Sequence, residues 1–232
     1  MRAVLLMGHV FSAGEKLSVT GEAQHHLANV IRLEKSEQIL LLNGAGAKAE
    51  ASVLEISKKE IQFQLAEVVQ VLPGVQLDVL ILIPKKDALE SMLKAATEMG
   101  VGKILLVKGQ RSQEKLPEER RVQALLQSAL EQSNNPWLPE VTGIAKMSEV
   151  SLDQYGEILM MDVASDPTKA AQKVRIAGQK TLLLVGPEGG YSPEERAMIL
   201  SWPQTRIVTL PTPILRAPTA LIAGLGWCHA RA

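Results

Sequence analysis

Residues 77–107 read LDVLILIPKKDALESMLKAATEMGVGKILLV, and the order of the patterns within them decides the fold. Residues 77–83 are almost continuously apolar, as expected of a strand buried on both faces. Over 88–99 the period changes: Leu89, Met92, Leu93 and Ala96 fall on one face of a helix, and Gly100 is a natural stop. Residues 104–107 are apolar again. A strand, a helix of that length and a second strand make a βαβ unit, which requires the two strands to be parallel. The pattern continues downstream. A long helix over 118–133 is entered after Pro117 and stopped by Asn134-Asn135-Pro136, and strands are expected over 157–161, 181–185 and 206–210, each followed by a helical segment. From Gly74 onward the chain therefore reads as α/β with a mainly parallel sheet.

Upstream the period is different. Ile61, Phe63 and Leu65 alternate with Gln62 and Gln64, and residues 39–42 run into the turn Asn43-Gly44-Ala45-Gly46, so this part is a small sheet or barrel. Leu27, Val30 and Ile31 stand at helical spacing and predict one short helix over 23–33. Pro73-Gly74 marks the change of character, which divides the chain into domains 1–72 and 73–232. The N-terminus MRAVLLMGHVF carries one arginine and a short apolar patch broken by Gly8 and His9; it reads as a first strand, not a signal peptide.

Composition removes several classes of function. The 25 Lys+Arg balance the 25 Asp+Glu, so there is no overall basic field, and affinity for nucleic acid has to come from local patches. The single cysteine, Cys228, allows neither an internal disulfide nor a cysteine-rich zinc site, which points to a reducing, cytoplasmic compartment. No apolar run approaches the roughly 18 residues of a membrane span, so no membrane partner is expected. His25 and His26, adjacent on a helix, point in different directions without acidic or cysteine ligands at metal spacing, and no metal is expected. There is no GxSxG elbow for a serine hydrolase.

In open parallel sheets, ligands bind beyond the carboxyl ends of the strands. That rule selects the loops at 162–167, 186–192 and 210–219. The second lies in LVGPEGGYSPEER (184–196), where Ser192-Pro193-Glu194-Glu195 is a helix-capping pattern with proline at the first helical position. The loop is neither GxxxxGK[ST] nor GxGxxG, and it carries a carboxylate, Glu188, where a phosphate cradle needs amides and a lysine. Either it is only a tight strand-to-helix turn or it holds a different ligand. In the third loop Pro211, Pro213 and Pro218 stiffen the backbone, which suits recognition of a neutral ring such as adenine or simply routes the chain. Ile214 and Leu215 are large apolar residues for a loop, and the helix expected over 220–230 is apolar around most of its circumference, fit for a core or a second subunit. Between Lys85 and Arg111 basic residues outnumber acidic ones, either as a solvated face or as a phosphate-tracking patch that includes Lys85, Lys86 and Arg111.

Taken together, HHLANVIRL (25–33), KAATEMGVGKI (94–104), SALEQSNNPWLPEV (128–141), LLLVGPEGGYSPEE (182–195) and LPTPILRAPTALIAGL (210–225) resemble the RsmE family along the whole chain and in the same order. That family methylates N3 of a uridine in 16S (small-subunit) ribosomal RNA. The resemblance implies an N-terminal PUA-like β-barrel that helps hold RNA, a C-terminal SPOUT α/β domain with a deep trefoil knot, S-adenosyl-L-methionine as cofactor, ribosomal RNA or the small ribosomal subunit as partner, and a homodimer. Carried onto this sequence, it implies cofactor-binding by Leu184, Val185, Gly186, Pro187, Gly189, Gly190, Leu210, Pro211, Ile214, Leu215 and Thr219. His25, His26 and Arg32 become RNA-binding candidates beside Lys85, Lys86 and Arg111. Glu188, the one carboxylate in the Gly-rich loop, and Arg216, the one cation in the Pro-rich loop, are the catalytic candidates, as base or polar anchor and as partner of an anion. Two departures stand out. This chain has Ala217-Pro218 where the family usually shows an acidic residue and a threonine, and Asn134-Asn135 where it usually shows an arginine. They keep open two alternatives, a SPOUT methyltransferase of another rRNA or tRNA position and a non-catalytic RNA-binding homologue.

Overall fold

The computed structural model describes residues 1–112, 116–163 and 179–230. They form two compact units, Met1–Pro73 with Gln127–Leu138 and Gly74–Leu126 with the chain from Pro139 onward.

The first unit contains β1 (Arg2–Leu5), β2 (Lys16–Thr20), α1 (Gly21–His25), a π-helical turn (His26–Ile31), β3 (Gln38–Leu42), β4 (Ala47–Ile56) and β5 (Glu60–Gln70). The strands lie in the order β1-β3-β4-β5-β2, with β1 parallel to β3 and the other pairs antiparallel. The alternation read from the sequence puts Ile61, Phe63 and Leu65 into the core with Ile39, Leu41, Ala51 and Val53. Asn43 shapes the β3–β4 turn, its side-chain oxygen accepting from the amides of Ala45 at 2.8 Å and Ala47 at 2.9 Å. The helix expected over 23–33 differs in kind. It widens into a π turn and ends at Arg32 in the left-handed region (φ 57°). In the wider turn Val30 swings away from buried Leu27 and is 64% exposed.

Residues 127–138, which the sequence reading assigns to 73–232, belong to this unit. Leu130 is buried with Ala3, Leu5 and Leu42, and the Glu131 carboxylate accepts from the Leu5 amide at 3.1 Å. Trp137 donates its indole N–H to the Val71 carbonyl at 3.2 Å, and its ring occupies the space that a Cβ at Gly46 (φ 96°) would need.

The second unit runs β6 (Leu77–Leu82), α2 (Lys86–Glu98), β7 (Lys103–Val107), α3 (Glu119–Ser133, whose last turns belong to the first unit), β8 (Glu140–Ile144), a 3-10 turn (Met147–Glu149), β9 (Glu157–Met161), β10 (Thr181–Val185), α4 (Pro193–Ser201), β11 (Thr205–Val208) and α5 (Ala217–His229). Its six strands are all parallel, in the order β11-β9-β10-β6-β7-β8. Period two sorts the apolar residues: Leu80, Leu82, Ile158, Met160, Leu182 and Leu184 join Ile199 of α4 in one core layer. On the other face, Gly224 of α5 comes close enough that a Cβ there would stand 3.1 Å from Leu183 Cδ2 and from Met161 Sδ. At the start of β6, fully buried Asp78 accepts from the Tyr155 hydroxyl at 2.7 Å and pairs with Lys180 at 2.8 Å.

Three sequence readings change. β8 was not anticipated; it is an edge strand with an exposed face and Gly143 in its middle, so it lacks an apolar run. β11 ends at Val208, before the expected 210. α5 starts at Ala217, before the expected 220, because Pro218 sits in its first turn, where a missing N–H leaves no bond unmade. The helical segment expected after β9 lies outside the described residues.

Candidate active site

In the strand order β11-β9-β10, three neighbouring strands end side by side, and the loops that leave them meet. They enclose a cleft of about 330 Å³. Its walls come from Met161, Asp162 and Val163 after β9, from Val185 to Glu188 with Gly190 and Tyr191 after β10, and from Val208 to Leu210, Thr212 to Arg216 and the first turn of α5 after β11. Of the loop expected at 162–167, residues 164–167 lie outside the described residues.

The Gly-rich loop turns where Gly190 takes φ 66° and donates its amide to the Pro187 carbonyl at 2.8 Å. It then enters α4 through the full capping box: Ser192 Oγ accepts from the Glu195 amide at 3.1 Å, and Glu195 Oε2 accepts from the Ser192 amide at 2.8 Å. The other oxygen of the buried Glu195 carboxylate accepts from the Gln110 amide at 2.6 Å. From the same β7–α3 loop, Arg111 donates to the Gly189 carbonyl at 2.5 Å. The β7–α3 loop thus holds the Gly-rich loop at Gly189 through Arg111 and the first turn of α4 at Glu195 through Gln110.

Glu188 is exposed, with both carboxylate oxygens 3.4 Å from the amide of Lys85, the N-cap of α2. A helix N-terminus suits a negative charge. Arg216 is the N-cap of α5, exposed at the lip of the cleft and without an ion pair among the described residues. Asp162 Oδ1 accepts from the Val163 amide at 2.8 Å, and Oδ2 pairs with Arg196 at 2.8 Å. Burial, with the charges of Asp162 and Glu195 behind it, pushes the Tyr191 phenol well above the ordinary tyrosine range.

Of the cofactor-binding candidates, Val185, Gly186, Pro187, Gly190, Leu210, Ile214 and Leu215 line the cleft together with Glu188 and Arg216. Leu184, Gly189, Pro211 and Thr219 are not among its lining residues. Leu184 points into the sheet core, and Gly189 turns its carbonyl to Arg111. Lys85 and Arg111 both touch the Gly-rich loop, and Lys86 follows Lys85 as an exposed first residue of α2. His25 and Arg32 are exposed and His26 half-buried, all in the first unit. Sequence reasoning passed over Tyr191, Met161 and Val208. The last two end their strands, a position that the strand-end rule marks. Among the described residues no group of three or more His, Cys, Asp or Glu could hold a metal ion, and no helix is long and apolar enough to cross a membrane.

Residues 72–229 match the model of the RNA methyltransferase domain, and residues 19–66 match the RNA methyltransferase PUA domain. The chain belongs to the RNA methyltransferase family. Its architecture is accordingly a PUA domain plus an α/β methyltransferase domain with a parallel sheet. Similar family members include the ribosomal RNA small subunit methyltransferase E of Mycobacterium tuberculosis, 27% identical over 224 residues that cover 90% of this chain and 84% of the relative. The protein of that name from Bacillus subtilis is 25% identical, covering 77% of this chain and 76% of its own. Among solved structures, the ribosomal RNA small subunit methyltransferase E from Neisseria gonorrhoeae bound to S-adenosyl methionine has the same fold, with a TM-score of 0.84 over 99% of this chain and 97% of that one at 22% identity.

Proposed function

We propose that this family member transfers a methyl group from S-adenosyl-L-methionine to N3 of a uridine in small-subunit ribosomal RNA. The observation that carries the reading is the cleft at the carboxyl ends of β9, β10 and β11, walled by the Gly-rich and Pro-rich loops. Its volume lies at the small end of the range for small-molecule sites, roughly 300–1,000 Å³. The donor set fits a sulfonium nucleoside better than a nucleotide. Val185, Val208, Leu210, Ile214 and Leu215 offer apolar walls, and among the described residues no lysine lines the cleft to meet phosphate and a buried tyrosine hydroxyl stands in its wall without a partner. The names of the relatives and the bound cofactor of the gonococcal structure support the same choice.

When bound, S-adenosylmethionine supplies an electrophilic methyl group. The chain's own task is to present uracil N3 without its proton. A base that is paired and stacked within folded RNA hides N3, so such a uridine has to be unstacked first. Glu188, held at the mouth by the Lys85 amide, is the proposed group that takes the N3 proton. Arg216, at the lip and without an ion pair among the described residues, is the proposed partner of the negative charge that develops on the uracil oxygens. His25, His26, Arg32, Lys85, Lys86 and Arg111 are proposed to hold RNA; for Lys85 and Arg111 the placement beside the Gly-rich loop is the support.

The finer architecture belongs to the same proposal: a PUA-like barrel over 1–72 completed by residues 127–138, a SPOUT domain from the rest of 73–232 with a trefoil knot, a homodimer, a cytoplasmic location and no need of a metal. The return of α5 from edge strand β11 to pack on β10 and α2 supports the knot. Ile222, 49% exposed on α5, supports a partner for that helix.

Two measurements test the function. Calorimetry is expected to detect S-adenosylmethionine binding, and failure to bind even with saturating RNA would leave only an RNA-binding protein. Nucleoside mass mapping of small-subunit RNA from a deletion strain is expected to lose N3-methyluridine. Unchanged N3-methyluridine beside the loss of another methylated nucleoside would move the target to another RNA position.

A further inference from the structure

Tyr191 is the residue of LVGPEGGYSPEER that neither the turn nor the helix cap requires. Its ring packs against the core layer that holds Leu80, Leu184 and Ile199, a task that phenylalanine performs equally well. The hydroxyl is different. It is buried and has no hydrogen-bond partner among the described residues, although Tyr191 lines the cleft. A Cβ built at Gly186 would stand 3.4 Å from Cε2 and Cζ, so the hydroxyl-bearing end of the ring lies directly under the Gly-rich loop. The carboxylates that act on it electrostatically are committed elsewhere: Asp162 to the Val163 amide and Arg196, Glu195 to the amides of Gln110 and Ser192. Their charge and the burial keep the phenol protonated, so it is available as a donor.

A buried donor with no acceptor destabilises a protein, and such groups persist where function uses them. We propose that Tyr191 is a cofactor-binding residue, its hydroxyl donating a hydrogen bond to a polar atom of S-adenosylmethionine in the cleft. The inference rests on the reading of the cleft as the cofactor site. It predicts opposite signs for one substitution. Removing the hydroxyl relieves the cofactor-free protein of an unsatisfied group but takes a bond from the complex.

The test compares wild type with Tyr191→Phe in two readouts, thermal melting without cofactor and calorimetric titration with S-adenosylmethionine. The expected result is a melting temperature equal to or above that of wild type, together with binding weakened about threefold to tenfold, the range of one neutral hydrogen bond. Equal affinity in the two proteins overturns the role of Tyr191 while leaving the cofactor reading intact. A lower melting temperature for Tyr191→Phe also overturns it, because the hydroxyl would then be satisfied within the fold. Absence of binding by the wild type removes the cofactor reading itself, and this inference with it.

Discussion

Glu188 shows how a single residue is constrained by its setting before any substrate arrives. Its carboxylate is exposed, yet both oxygens face the Lys85 amide at the head of α2, so the side chain is oriented while its charge stays accessible. Glutamine in its place keeps an acceptor for that amide and loses only the charge and the basicity. If Glu188 takes the N3 proton, Glu188→Gln is expected to slow methyl transfer about 100-fold or more, the scale of a lost general base. Cofactor affinity should stay within about twofold, since the amide can still be met and one exposed charge is worth little. Single-turnover methylation of RNA, with calorimetry on the same samples, separates the two quantities. A wild-type rate with wild-type affinity would remove Glu188 from the mechanism.

At the scale of elements, the Gly-rich loop is positioned by its attachments more than by its own glycines. Glu195 closes the capping box of α4 with one oxygen and holds the β7–α3 loop with the other, so a single carboxylate ties the end of the Gly-rich loop to a neighbouring loop. Glu195→Ala is expected to lower stability by about 2–4 kcal/mol, from a lost cap and a lost charge-assisted bond to Gln110, and to weaken cofactor binding. Glu195→Gln should recover part of both. Urea unfolding and calorimetry check this, and an unchanged affinity in Glu195→Ala would mean that Arg111 alone suffices to brace the loop. The cap was legible in the sequence because Ser192-Pro193-Glu194-Glu195 encodes it locally. So were β6, β7, β9 and β10, whose burial on both faces leaves continuous apolar runs. β8 was not, because an edge strand needs no such run, and neither was the π turn, whose extra residue leaves no mark in an apolar spacing. Within the site, strand ends pointed to the three loops. Which side chains turn into the cleft was hidden, since Tyr191 reaches it only through the path that the backbone takes around Gly186 and Gly190.

For the whole molecule, the main departure from a linear reading is that the first unit is not a continuous stretch of chain. The equal numbers of acidic and basic residues leave no general attraction to RNA, so the proposed RNA-holding role of the first unit calls for a surface of defined shape, and hence for a fully folded unit. Its fold draws on residues 127–138. Without them Ala3, Leu5 and Leu42 lose the cover of Leu130, the Leu5 amide loses the Glu131 carboxylate, and the cradle at Gly46 loses the ring of Trp137 together with the Pro136 carbonyl that accepts from the Gly46 amide at 2.9 Å. A fragment ending at Pro73 is therefore expected to melt without cooperativity and to bind a hydrophobic dye. The same fragment extended through a flexible linker by residues 127–138 should regain a cooperative transition, because the added segment restores apolar burial and buried hydrogen bonds at one surface. Circular dichroism melting of the two fragments decides the matter. Cooperative unfolding of residues 1–73 alone would mean that the first unit folds independently and that the late segment only docks onto it.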